Sequence, residues 1–269
     1  MKLHTNEYYH DIIKCALPQT QLICAPDVLG MATPVFLAKN AQDTIVCKFN
    51  DYDIVMHNYK IRKLISNNGL NIPHADIHAI EDTWFESYKY CPDKTLYEHI
   101  KNGISKDKII NAYHQAVDIQ NTISNIDISL LDKVRPLYYA DIFSIIKRYK
   151  TNEPLVSIYR EIIKTVSRPG TQYLLHCDLN TRNILTNTNG DVTCLIDFDT
   201  VALTNNEFAL IQMLRTYPFD DLNNIIEYYE DTTHRKLNKK LIINAVKILN
   251  MFRTQQIILN KMFQRKNIR

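Results

Sequence analysis

The stretch from Tyr173 to Asp199 constrains this chain more than any other. It runs through TQYLLH, NILTN, a TNTNGD turn and VTCLIDF. These apolar runs are too short for helices. Asn189-Gly190 between two of them is a strong hairpin signal, because tight reversals between twisted strands need positive φ. The sequence on both sides reads as helix. The fold must therefore seat a small strand system, tipped with polar residues, among helices.

The first third of the chain has a different character. Gln21–Ala25, Thr33–Lys39 and Thr44–Phe49 are short runs rich in Val, Ile, Phe and Thr, separated by turn signals at Pro26-Asp27, Gly30 and Asn40. Tyr52–Ser66 places apolar residues at helical spacing and stops at Asn67-Asn68-Gly69. Two more strands are expected at His74–Ile80 and Thr83–Tyr90. At Cys91-Pro92-Asp93-Lys94 the pattern changes, since Pro cannot sit inside a central strand. Helices are then expected at Leu96–Lys101, Lys106–Ser124, Ala140–Lys150 and Pro154–Ser167, and again beyond Asn205, with an apolar stripe along Leu237–Phe263. This gives an α+β chain with residues 1–90 as one part, 91–94 as a hinge and 95–269 as a mainly helical part.

Composition narrows the function. The 269 residues are 45% apolar and 23% charged, a globular balance. Lys+Arg 32 against Asp+Glu 29 leaves +3, too slight a bias to indicate a nucleic-acid partner. Six Cys without a paired CxxC pattern read as reduced thiols in a cytoplasmic protein. His176-Cys177-Asp178 has no second cluster at ligand spacing, which argues against zinc. No apolar run approaches the ~20 residues that span a bilayer. MKLHTNEYYHDII carries charges and no long apolar core, so a secretory signal is not expected. The oligomeric state is not legible.

The chemistry sits in LHCDLNTRNIL (Leu175–Leu185) and LIDFDT (Leu195–Thr200). Asp178, in a loop after a strand, can orient a hydroxyl and take its proton. Asn183 and Asp197 offer hard oxygens suited to Mg²⁺, which binds through one or two carboxylates plus substrate phosphates. Lys48, inside the apolar strand TIVCKF, offers a point charge for phosphate. Base, metal ligands and lysine are the parts of phosphoryl transfer.

His176-x-Asp178-x4-Asn183 followed by Ile196-Asp197-Phe198-Asp199 resembles the signature of the aminoglycoside phosphotransferase and choline kinase superfamily, usually HGDLHPGNIL with IDFDD or IDWE. LGMATPVFLA (Leu29–Ala38) resembles its nucleotide-loop strand, and IVCKF places Lys48 at its lysine position. The resemblance runs from about residue 20 to at least 215. It implies a bilobal protein-kinase-like fold, with a small, mostly antiparallel β N-lobe carrying one helix and a larger mainly helical C-lobe. It further implies Asp178 as catalytic base, Asn183 and Asp197 as Mg²⁺ ligands, Lys48 and Gly30 at the ATP phosphates, and adenine near Tyr88–Tyr90. His176 would hold the loop.

Two departures accompany it. The family's helix after the lysine strand carries a Glu that pairs with the lysine. Tyr52–Ser66 has none, and the register puts His57, Asn58 or Lys60 there. Either another acid serves, with Asp51 and Asp53 as candidates, or Lys48 is held less firmly. The nucleotide loop also has only Gly30 where the family often has two glycines. The expected function is an ATP- and Mg²⁺-dependent phosphotransferase acting on a small-molecule hydroxyl. The alternative is a catalytically weak or inactive pseudokinase that binds a nucleotide or a partner. Acids and aromatics interleaved in Asn206–Asp231 suit a cationic acceptor such as choline, ethanolamine or an aminoglycoside, or form an ordinary amphipathic helix pair. NNEFALIQ replaces the family's D-P-x-x-D-L-A pattern here, so acceptor identity does not carry over.

Overall fold

The structure, a computed structural model, describes residues 5–24, 33–130 and 172–251, together with Ser157 and Glu161. The expected helices Ala140–Lys150 and Pro154–Ser167, the loop around Gly30 and the last part of Leu237–Phe263 lie outside the described residues. The chain divides into two compact units. One is Met1–Lys94 with Thr193–Asp199; the other is Thr95–Val192 with Thr200–Arg269. The segment carrying Asp197 and Asp199 therefore groups with the first unit.

The first unit is built on a five-stranded antiparallel sheet of β1 (Gln21–Cys24), β2 (Val35–Lys39), β3 (Thr44–Asn50), β4 (Ala75–Ile80) and β5 (Thr83–Lys89), in the order β1-β2-β3-β5-β4. Helix α2 spans Tyr52–Asn67. A second helix, α1 (Asn6–Ala16), corrects the expectation of one helix in this part. The Thr5 side chain caps it by accepting from the Tyr8 N–H at 3.3 Å. Tyr9, Ile12 and Ile13 recur at three- and four-residue steps and are buried.

Strand alternation sorts this sheet into two faces. Phe36, Ala38, Cys47, Phe49 and Phe85 form a buried cluster with Tyr9, Ile12 and Ile13 of α1. The Phe49 ring stacks on Phe85 with centroids 4.8 Å apart and lies 4.6 Å from Tyr9. The intervening residues point the other way. Lys48 stands directly opposite Glu86, and Val46 opposite Tyr88.

The two-residue strand β6 (Lys94–Thr95) leads into α3 (Leu96–Lys101), which Thr95 caps through a reciprocal capping box with Glu98. Helix α4 (Lys106–Ser124) buries Tyr113, Ala116, Val117 and Gln120 along one stripe. Strand β7 (Tyr173–His176) pairs antiparallel with β10 (Val201–Thr204), so that His176 lies opposite Val201. The sequence analysis does not anticipate β10. Between β8 (Ile184–Thr186) and β9 (Val192–Leu195) the turn closes with the Asn187 N–H donating to the Asp191 carbonyl at 3.0 Å. Gly190 sits there at φ 86°, and a Cβ on it would meet Lys108 Cβ at 2.8 Å, so glycine is required twice over. Helices α5 (Asn206–Leu214) and α6 (Leu222–Thr233) follow, and residues 239–251 are also helical. Among the described residues no helix is long and apolar enough to cross a membrane, and Cys15, Cys47, Cys91, Cys177 and Cys194 are all free.

Candidate active site

Two groups of functional side chains are assembled, one in each unit. In the first, Lys48 reaches from β3 on the face opposite α1 and is only 7% exposed. Its Nζ lies 2.6 Å from Asp197 Oδ1 and 2.8 Å from Asp199 Oδ2. Burial disfavours the ammonium, but Asp199 and Asp197 outweigh that effect and hold Lys48 above the ordinary lysine value. Asp197 occupies the left-handed region at φ 66°, a conformation that Asp tolerates better than most residues.

Asp199 is the more enclosed of the two acids, 19% exposed against 39% for Asp197. Its Oδ2 also accepts from Asn50 Nδ2 at 3.1 Å, and its Oδ1 accepts a short hydrogen bond from Asn58 Nδ2. Asn58 lies one turn before Arg62 on the same face of α2. Arg62 is buried, with Nε 3.3 Å from Glu86 Oε2. Its guanidinium lies 4.3 Å from the Tyr88 ring centroid and 4.8 Å from that of Phe198. Burial lifts the Glu86 carboxyl above its usual range, while Arg62 pulls it back. Tyr88, enclosed beside this pair, has its phenol pushed up to about 12 by burial.

The sequence offered Asp51 and Asp53 as substitutes for the missing helix carboxylate, and both are exposed at the start of α2. Lys48 instead draws its acids from the segment 197–199, and of the three positions the register offers for the family's Glu (His57, Asn58 and Lys60), Asn58 is the one that meets Asp199. Glu86 was not anticipated. Its signal was available: an acid within the apolar strand TWFESYK is the same anomaly that singled out Lys48.

In the second unit the loop after β7 is held from several sides. Gln120 of α4 is fully buried, and its amide brackets the His176 backbone, accepting from the N–H at 3.2 Å and donating to the carbonyl at 3.4 Å. His176 Nδ1 accepts from the Asp178 N–H at 3.3 Å, so this histidine holds the loop. Asn180 Nδ2 donates to Asp178 Oδ1 at 2.9 Å. Asn183 Nδ2 donates to the Asp178 carbonyl at 2.7 Å and to Oδ2 at 3.2 Å. The structure thus brings Asp178 and Asn183 together. Arg215, just past α5, forms an ion pair with Asp178 Oδ1. Neither Asn180 nor Arg215 was singled out from sequence. Arg215 lies 37 positions from Asp178, and nothing local marks it.

Among the described residues no group of three His, Cys, Asp or Glu side chains is placed to hold a metal. Asp197 in the first unit and the Asn183 amide in the second each offer a hard oxygen of the kind Mg²⁺ prefers. Gly30 lies outside the described residues. In Asn206–Asp231, Asp221 pairs with Lys106 at 2.8 Å, and Glu227 and Glu230 pair with Lys239 at 3.3 and 3.2 Å. Tyr217 and Tyr229 are buried. Half of the acids suggested for a cationic acceptor are thus already neutralised.

Residues 136–238 match the model of the phosphotransferase enzyme family, APH. No curated protein matches the chain by sequence. Among solved structures, the GDP and kanamycin complex of APH(2")-IIIa is 18% identical, covering 97% of this chain and 93% of the other with a TM-score of 0.66. Spectinomycin phosphotransferase with ADP and spectinomycin is 13% identical over 93% of this chain and 86% of the other, TM-score 0.64. Macrolide 2'-phosphotransferase type I is 14% identical over 94% and 90%, TM-score 0.62. The chain has the fold of these phosphotransferases, and its residues 136–238, which carry the HxDx4N and IDFD motifs, are similar to the phosphotransferase enzyme family.

Proposed function

We propose that this protein transfers the terminal phosphoryl group of a nucleoside triphosphate to a hydroxyl of a small molecule. The observation that carries the reading is the Asp178 loop. A carboxylate at the family's base position is fixed by Asn180, Asn183 and Arg215 in a loop braced by a buried Gln120. Asp178 accepts the acceptor's proton as the oxygen attacks phosphorus. Oδ1 carries two donors, from Asn180 and Arg215, and Oδ2 only one, from Asn183 at 3.2 Å, so Oδ2 is the atom that takes it. Arg215 pairs with the loop carboxylate and holds it turned in one direction between turnovers.

Asn183 commits its Nδ2 to Asp178, leaving its amide oxygen for a cation, and Asp197 offers a carboxylate oxygen. These two residues would hold Mg²⁺, which neutralises charge on the transferring phosphates when bound. Lys48 supplies the ammonium for the nucleotide phosphates, and Gly30 lies in the loop expected to cover them. Adenine or guanine would lie near Tyr88–Tyr90. Two of the similar enzymes are complexes with GDP and ADP, so both donors belong in the assay. The acceptor is a hydroxyl compound of the choline, ethanolamine or aminoglycoside kind, and use of a nucleoside triphosphate places the reaction in the cytoplasm.

The test is nucleotide turnover with ATP and GTP over a panel of choline, ethanolamine, aminoglycosides, thiamine and sugars. Acceptor-dependent diphosphate release that falls about 10³-fold in Asp178→Asn is the expected result. Binding of Mg-nucleotide with no turnover, unchanged by the substitution, would establish the pseudokinase reading instead.

A further inference from the structure

We propose that Asp199 has taken over the task of the missing helix carboxylate, and that Asn58 and Asn50 position it to hold the Lys48 ammonium in place. The inference rests on the reading of Lys48 as the phosphate-binding lysine. It concerns how this chain fixes that lysine without an acid on α2.

Hydrogen-bond capacity distinguishes the two acids on Lys48. Asp199 presents two oxygens, and both are filled by fixed donors from the same unit. Oδ2 receives Lys48 at 2.8 Å and Asn50 at 3.1 Å, and Oδ1 receives Asn58. Lys48 and Asn50 belong to one strand and project to one face, while Asn58 comes from the helix packed over that face. Asp197 also touches Lys48, but through Oδ1 and with twice the exposure of Asp199. The enclosed acid is therefore the resident partner, and Asp197 is the more exposed of the two acids on Lys48.

The identity of residue 58 then follows from charge. Asn58 Nδ2 donates to Asp199 and approaches Glu86 Oε1 at 3.5 Å, so the position faces two carboxylates. A Glu or Asp there would put a third buried carboxylate against them, with Arg62 already engaged by Glu86. An amide donor satisfies both. The acid two places after Asp197 also stands in the family forms IDFDD and IDWE, so the change in this chain is the neutral residue on the helix, which turns that acid towards Lys48.

The experiment is a cycle of Asn58→Asp, Asp199→Asn and the double variant, read by melting temperature without ligand and by KM and kcat for the nucleotide. Asn58→Asp keeps the side chain's shape and reverses the chemistry, and is expected to lower Tm by roughly 10 °C, as an uncompensated buried charge does. Asp199→Asn is expected to raise nucleotide KM about tenfold with a smaller change in kcat, since it loosens the lysine and leaves Asp178 untouched. The double variant returns one carboxylate to the cluster and is expected to recover at least half of the lost Tm and much of the lost KM.

A purely structural role would restore Tm in the double variant while nucleotide KM never moved, and would overturn the proposal. So would an Asn58→Asp protein as stable as wild type. If the Tm cycle closes as expected but wild type binds neither Mg-ATP nor Mg-GTP, the phosphotransfer reading fails and takes the phosphate-lysine role of Lys48 with it. That failure differs from an unmoved KM in an active enzyme.

Discussion

On one side of the five-stranded sheet Phe36, Phe49 and Phe85 stack beneath α1; on the other, Lys48, Glu86 and Tyr88 from the neighbouring positions of the same strands lie under α2. The two faces differ by a single step along each strand, yet opposite physics governs them. The aromatic face gains from area removed from water, a sum over many small contacts. The charged face carries ions that lose their hydration and must each find a partner within reach. An apolar face therefore degrades by degrees, whereas a buried ionic face fails when one member goes.

The sharpest way to break the comparison is Arg62→Met. It keeps the volume between Tyr88 and Phe198 but takes from Glu86 the guanidinium paired with it, and a loss of about 4 kcal/mol by denaturant unfolding is expected. Its pH dependence adds a signature. The Glu86 carboxyl is already lifted above its ordinary 4.5, by burial first, with Arg62 opposing. The folded state therefore holds that proton more tightly than the unfolded chain. Stability from this group is complete below 4.5 and is lost as pH rises through the raised value. Removing Arg62 removes the opposing pull, so the decline in the variant extends to higher pH.

The same removal on the aromatic face is milder. Phe49→Leu trims a ring from a cluster that keeps its other members, and about 1.5 kcal/mol is expected in the same unfolding experiment. The smallest effect is at the edge of that face. Thr5→Ala leaves the Tyr8 N–H of α1 uncapped, with about 1 kcal/mol expected and the loss seen first as faster amide exchange in α1. If Arg62→Met cost no more than Phe49→Leu, the distinction between the faces would be wrong.

Much of this arrangement was legible before the structure. Period-two alternation found the strands, and the Asn189-Gly190 turn marked the hairpin, because local backbone preferences decide both. The Asp178, Asn183 and Asp197 positions stood out because chemistry concentrated them in 20 residues near strand ends. Helix α1 was overlooked although Thr5 with Tyr9, Ile12 and Ile13 carries a cap and a stripe. The partners of the charged residues were not legible. Arg215 meets Asp178, and Asn58 meets Asp199, across 37 and 141 positions. Such pairings are fixed by packing that sequence spacing does not encode. Glu86 lies between these cases: its place in an apolar strand was a readable anomaly, its pairing with Arg62 was not.

Helix α1 has a consequence for how the protein is made. Its residues Tyr9, Ile12 and Ile13 leave the ribosome before any strand they cover, and Phe85 emerges last of the cluster. Until that strand arrives the nascent chain carries an apolar helical stripe with no finished sheet to receive it. The first unit also waits for Thr193–Asp199, made after most of the second unit, before Lys48 meets its acids. Its ionic face is thus completed late in synthesis, and a chain stalled before residue 193 would hold a lysine under α2 with neither of those partners.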